Sequence, residues 1–170
     1  SSSRILEVIK RDGRLDRIAQ DIAHHFPRRG FLGKGMVVSV DKYTAVKMYD
    51  KVQHYWAEEK KALVKERNAA KTKEERDELT ARLEYMNRVE MAVVISEEAQ
   101  GLDISFHRNK LNEITPEGKD IEDRFKDKDD TLSLVFVCAM WLTGFDVTSL
   151  STLYLDKPMK GHTLMQAIAR

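Results

Sequence analysis

Three short stretches of this 170-residue chain carry side chains suited to meeting a phosphate. The first is Ser39-Val40-Asp41-Lys42-Tyr43-Thr44, where a β-branched run gives way to a helical pattern. Hydroxyls, a lysine and the N–H groups of a helix start suit an oxyanion. The same residues also make an ordinary helix cap through Asp41 or Ser39, which is the simpler reading when they stand alone. The second is Trp141-Leu142-Thr143-Gly144-Phe145-Asp146-Val147. Gly144 permits a tight turn with close backbone approach to a ligand, and Asp146 can accept from a sugar hydroxyl. A plain glycine turn exposing an aspartate would look the same. The third is His162 to Arg170 (HTLMQAIAR), where Gln166 and Arg170 stand four residues apart, on one face of a helix. An arginine so placed can neutralise charge on a transferred phosphoryl group, although a solvated last-turn arginine is the commoner use.

Several other chemistries are excluded. The single cysteine, Cys138, permits neither an intrachain disulfide nor a cysteine-based zinc cluster. The five histidines include one adjacent pair, His24 and His25, and are otherwise scattered, so no metal site is expected. Gly30-Phe31-Leu32-Gly33-Lys34-Gly35 is glycine-rich, but it precedes a strand pattern and lacks the G-x-x-x-x-G-K-[ST] spacing of a phosphate loop. No serine lies on a nucleophile-elbow pattern. With 29 basic against 28 acidic residues the formal charge is +1, so any contact with nucleic acid must be local. No apolar run approaches the roughly 20 residues of a membrane span, and no signal peptide opens the chain. The expectation is a soluble protein of a reducing compartment, the cytoplasm, with no membrane partner.

The elements that must position these residues follow from periodicity. Ile5 to Ile9 is apolar and breaks at a turn at Asp12-Gly13. Leu15, Ile18, Ala19, Ile22, Ala23 and Phe26 predict a helix with one buried face, ended by Pro27. Met36 to Val40 reads as a buried strand, followed by a helix carrying Ala45, Val46, Met48, Tyr49, Val52 and Trp56. Over about 57–90 clustered opposite charges predict a helical hairpin, restarting at Thr72 with Glu75 as a capping box. Its narrow apolar edge is Leu79, Leu83 and Met86, and a solvated insertion is favoured over a partner-binding coiled coil. Strands follow at Met91–Ile95, Leu132–Met140 and Thr152–Leu155, with a helix from Thr115-Pro116 to about Lys126 and another from His162. Strands alternating with helices predict an α/β domain with a mostly parallel sheet, in which ligands collect beyond the carboxyl ends of the strands. Ser1 to Ser3 reads as a lead-in, and the final apolar turn has no cap. A piece of a longer polypeptide is expected.

In this order the motifs resemble a known family. GMVVSVDKYTAVKMYD, then LVFVCAMWLTGFDVTSLSTLYLDKPM, then HTLMQAIAR look like motifs IV, V and VI of superfamily 2 helicases. More narrowly, FVCAMWLTGFDV with LSTLYLDKPMKGHTLMQAIAR resembles the motor (R) subunit of type I restriction enzymes. The resemblance implies a single RecA-like three-layer domain over residues 1–170, the second lobe of an ATP-driven double-stranded DNA translocase, with the charged hairpin inserted. Carried over residue by residue, it places Gly144, Asp146, Gln166 and Arg170 at the ATP, with Arg170 as candidate arginine finger. It places Ser39, Lys42, Thr44 and Thr143 at the DNA backbone. Motif VI of the family reads Q-x-x-x-R-x-x-R, and its second arginine would fall three residues past Arg170. ATP and Mg²⁺ would be held mainly by a first lobe. The implied partners are that lobe and a nuclease domain of the same parent, double-stranded DNA, and the methyltransferase and specificity subunits. The parent would be an ATP-dependent endonuclease, and the isolated piece inactive. The alternatives are a lobe of another superfamily 2 remodeller, or a non-catalytic α/β module binding a protein through the hairpin.

Overall fold

The structure is a computed structural model that describes residues 12–30, 33–94, 121–138, 150–159 and 162–169. Helix α1 (Asp12–His25) passes into a short 3-10 turn (Phe26–Arg28) and then strand β1 (Lys34–Ser39). Helix α2 (Lys42–Ala69) and helix α3 (Lys73–Arg88) form a hairpin, followed by strand β2 (Glu90–Val94). Helix α4 (Ile121–Lys126) precedes strands β3 (Leu132–Cys138), β4 (Leu150–Met159) and β5 (His162–Ala169). The five strands form one sheet in the order β2-β3-β1-β4-β5. The first four in that order are parallel, and β5 is antiparallel to β4 at the edge.

Alternation along the strands builds two cores. Val37, Leu134, Phe136, Val93 and Tyr154 face α1, α2 and α3, meeting Ile22, Phe26, Tyr49 and Trp56. Met36, Val38, Val135 and Val137 face the other way, under Phe125 and Ile121 of α4. A helix layer on each face of the sheet makes the three-layer α/β architecture, consistent with the RecA-like fold expected from the sequence. A bulge at Ser133, where Glu90 pairs with Leu132 but Met91 with Leu134, turns Leu132 onto the α4 face. Gly35 is required by packing. A Cβ there would sit 2.4 Å from the Phe26 ring and 3.0 Å from Leu134 Cδ1.

The charged hairpin is present, but it grows out of a core helix. α2 runs unbroken through residue 57 for 28 residues, about 42 Å, against about 20 Å for β1. α1 lies alongside its first half, tied by Lys51–Asp16 at 3.0 Å and by Arg28 and His24 on Glu59. Beyond residue 60, α2 is flanked by α3. Leu63, Leu79, Leu83 and Met86 close the seam between them, and Trp56 Nε1 donates to the Met86 carbonyl at 3.1 Å. The Thr72 hydroxyl accepts from Glu75 N at 3.1 Å, one half of the expected capping box.

Two local expectations change. Asp12 and Gly13 are in the first turn of α1 rather than in a turn before it, because the helix extends one turn further back than its apolar stripe. Residues 162–169 form a strand, not a helix. The physical reason is tertiary: an eight-residue helix is too short to be stable by itself, whereas the free edge of β4 offers its backbone a full ladder. Ile5 to Ile9 and the start of the helix expected from Pro116 lie outside the described residues. No helix among them is long and apolar enough to cross a membrane.

Candidate functional site

At the carboxyl edge of the sheet the ends of β1 and β3 meet, with Ser39 opposite Cys138. The chain turns at once into α2. Asp41 is the cap residue, extended at φ −149° and ψ 174°, and its carboxylate accepts from Thr44 N at 2.8 Å. The cap reading of this stretch is therefore realised, and its negative charge occupies the place an anion would take at the helix start. Ser39 and Thr44 are only 4 % and 3 % exposed. Lys42, the first helical residue, is half-buried, and Val40 and Tyr43 on either side of it are exposed. Of the three candidate DNA contacts in this stretch, Lys42 is the one whose side chain reaches the surface.

Strand register brings a second candidate to this edge. Gln166 pairs with Leu155, Leu155 with Val38, and Val38 with Val137, so one row crosses the sheet a single residue short of Ser39. Two inter-strand spacings put the Gln166 and Val38 backbones about 10 Å apart. Three residues on, Ala169 is in the row of Thr152 and Gly35, toward the amino end. Four residues of strand span about 14 Å, against about 6 Å of rise in a helix. Gln166 thus lies on a strand rather than on the helical face expected for it. Thr143, Gly144, Asp146 and Arg170 lie outside the described residues.

The opposite, amino edge holds a cluster that the sequence did not announce. Lys34 is 2 % exposed, and its ammonium donates to the carbonyls of Asp130, at 2.7 Å, and Leu132. Burial pulls its pKa below the usual lysine range, partly offset by Asp130, Asp127 and Asp129. Arg124 of α4 bonds Asp130 at 3.0 Å and also grips Glu90 and Thr131, clamping α4 to the starts of β2 and β3. Burial raises the pKa of the Asp130 carboxyl, but bonds from Arg124 and from Leu132 N outweigh it and hold the group below the ordinary aspartate range. A concavity of about 390 Å³ opens beside this clamp, lined by Lys34, Tyr85, Arg88 and Asp129 among others. In the glycine-rich stretch, Lys34 and Gly35 are the first residues of β1, and both are taken up by packing and backbone contacts. Nearby, Arg29 stacks 3.6 Å over Phe26 and donates to the Gly33 carbonyl and to Ser151, pinning the start of β4. No group of three potential metal ligands occurs among the described residues.

Comparison with known proteins decides the family. Residues 33–170 match the family model for domain 3 of the type I restriction enzyme R subunit. The chain belongs to that family. Across 99 % of its length it is 32 % identical to a Methanocaldococcus jannaschii protein provisionally named the type I restriction enzyme MjaIXP endonuclease subunit. A second protein of that organism, provisionally named the MjaVIIP endonuclease subunit, is 30 % identical over 92 % of the chain. The HindI endonuclease subunit of Haemophilus influenzae is 63 % identical over 54 residues, 32 % of the chain. The matched chain spans 13 % of the length of each of the two archaeal relatives, and the 54-residue match spans 5 % of the HindI subunit. No solved structure matches. Within the family assignment, the carboxyl edge with Lys42 and Gln166 is the candidate site, and the Lys34 clamp is scaffold.

Proposed function

We propose that this domain is the second motor lobe of an R subunit and contributes to ATP-dependent translocation along double-stranded DNA, with cleavage performed by another domain. The single observation that supports it best is the register. Two stretches more than a hundred residues apart, Ser39–Thr44 and the antiparallel edge strand bearing Gln166, come to the carboxyl edge of the parallel strands of one sheet, where α/β domains bind ligands. Lys42 supplies an ammonium for a backbone phosphate, which makes binding indifferent to base sequence. ATP with Mg²⁺, held mainly by the first lobe, would supply the phosphoryl group whose loss reopens the cleft. By the motif resemblance, Thr143 would join Lys42 at the DNA backbone, and Gly144, Asp146, Gln166 and Arg170 would meet the ATP. The parent would work in the bacterial cytoplasm with methyltransferase and specificity subunits.

The test uses the full-length R subunit in its complex. Lys42→Ala should weaken DNA binding about equally across sequences, and a sequence-selective loss would refute the phosphate contact. Arg170→Ala should depress ATP turnover with DNA binding mostly intact, and Asp146→Ala should loosen the coupling of nucleotide to DNA. Unchanged turnover in both would remove these residues from the site. The reading as a protein-interaction module gains nothing from the hairpin. Its seam absorbs Leu63, Leu79, Leu83 and Met86, leaving Val64 as the exposed large apolar residue among the described residues of the arm.

A further inference from the structure

We propose that the concavity at the amino edge of the sheet is a second ligand site, taking a sugar phosphate whose phosphate is held by Arg88 and Lys128 and whose hydroxyls meet Asp129. The inference goes beyond the motor reading and does not rest on it. The concavity measures about 390 Å³, within the range of roughly 300–1,000 Å³ usual for small-molecule pockets. It opens where the last turn of α3 meets the turn between α4 and β3 and the start of β1. The length of β1, about 20 Å, separates it from Ser39–Thr44.

The chemistry of the site follows by elimination. Two of its charged groups are spent on the fold: the Lys34 ammonium on the Asp130 and Leu132 carbonyls, and the Asp130 carboxylate on Arg124. Arg88, Lys128 and Asp129 line the same concavity and are exposed, with no side-chain hydrogen bond or ion pair among the described residues. Two cations against one carboxylate leave the unspent lining cationic. The planar arginine fork matches two phosphate oxygens, and the lysine adds a point charge. Asp129 is an acceptor only, and the hydroxyls of a sugar supply it with donors. A bare oxyanion would leave that carboxylate facing it, whereas a sugar phosphate offers each side its complement. Tyr85 adds an independent sign. It stands in the wall of the concavity, and its hydroxyl is buried without a hydrogen-bond partner. Arg29 and Arg88 both approach that hydroxyl, but the Arg29 guanidinium is committed to the Phe26 and Gly33 carbonyls and to Ser151 and Thr152. Buried polar groups are rarely left unsatisfied, and a ligand oxygen drawn in by Arg88 is a partner for this one. The bound phosphate would bridge α3 to the turn before β3 and fix the root of the arm on the sheet.

The experiment labels the full-length R subunit with pyridoxal 5′-phosphate, a phosphorylated aldehyde close in size to a sugar phosphate. Its aldehyde condenses with an unprotonated lysine amine, water leaves, and borohydride reduction fixes the imine as a secondary amine. Peptide mapping compares Lys128 with Lys71, an exposed lysine between α2 and α3, in the same digest. The Lys128-to-Lys71 ratio should be about tenfold higher with pyridoxal 5′-phosphate than with pyridoxal, which lacks the phosphate. Ribose 5-phosphate should suppress labelling of Lys128, and ribose should not. Arg88→Gln should lower the ratio about tenfold. Asp129→Asn should weaken protection by ribose 5-phosphate more than protection by inorganic phosphate. AMP protecting at lower concentration than ribose 5-phosphate would assign the sugar phosphate to a nucleotide, and equal protection would assign it to the free sugar. A ratio indifferent to the phosphate or to Arg88→Gln, protection by ribose alone, or equal effects of Asp129→Asn on both protectors would each overturn the site. Failure of the motor reading would leave these ratios as they are and would show instead as absent ATP turnover or absent movement on DNA.

Discussion

Lys34 shows how a single residue can be costly and still be kept. Its ammonium is buried between two carbonyls, and burial lowers its pKa. The unfolded chain therefore holds this proton more tightly than the folded one. Stability should rise with pH between the lowered value and the usual lysine range near 10.5, and Lys34→Met should lose that component. At neutral pH, Lys34→Met leaves the Asp130 and Leu132 carbonyls without their donor. A loss of about 1–3 kcal/mol in urea unfolding is expected. Asp130 behaves oppositely. Its carboxyl is held low by Arg124 and Leu132 N, so its stabilisation is present above the unfolded aspartate range and disappears as pH falls through the lowered value. Asp130→Asn should flatten the acid limb of a stability–pH curve, and an unchanged limb would show that the Arg124 clamp contributes nothing. Neither residue was singled out by sequence as structural, because a buried lysine and a turn aspartate have no local pattern.

At the scale of elements, the start of α2 carries two opposed demands. Asp41 caps the helix, and the same carboxylate repels phosphate beside Lys42. Asp41→Asn preserves a good cap and removes the charge. The full-length subunit should then bind DNA more tightly at low salt with unchanged thermal stability, whereas Asp41→Ala should cost about 1 kcal/mol. Equal DNA affinity in the asparagine variant would mean that no phosphate approaches this corner. β1 supplies a second case. Gly35→Ala would drive a Cβ into Phe26 and Leu134, so a loss of about 1–3 kcal/mol is expected from overpacking, measurable by denaturant titration of this chain. α1, β1, the body of α2, α3, β2 and β3 were legible in advance because their apolar periods are long and unambiguous. β5 was not. Eight residues of mixed preference carry no record of which neighbour offers them an edge.

For the whole molecule, the motor reading makes this chain half of a cleft. Alone it should show no DNA-stimulated ATP turnover above background. Measurable turnover by the 170-residue chain would mean that it contains a complete site. Its formal charge of +1 fits a narrow phosphate track better than a broad basic face, so few ions should be released per DNA contact made by this lobe. The comparison of Lys42→Ala with the unaltered subunit across salt concentrations would measure that share directly. From the residues alone came the α/β class and the helical hairpin with its narrow apolar edge at Leu79, Leu83 and Met86. Periodicity, capping and motif order are local or additive properties that a linear chain states openly. Only the tertiary structure decided that α2 continues unbroken into the arm, that Ser39 and Thr44 turn inward, that Lys34 is buried in a clamp, and that residues 162–169 run as a strand along β4. Each of those depends on which backbone edge, carbonyl or ring stands opposite, and folding alone brings such partners together.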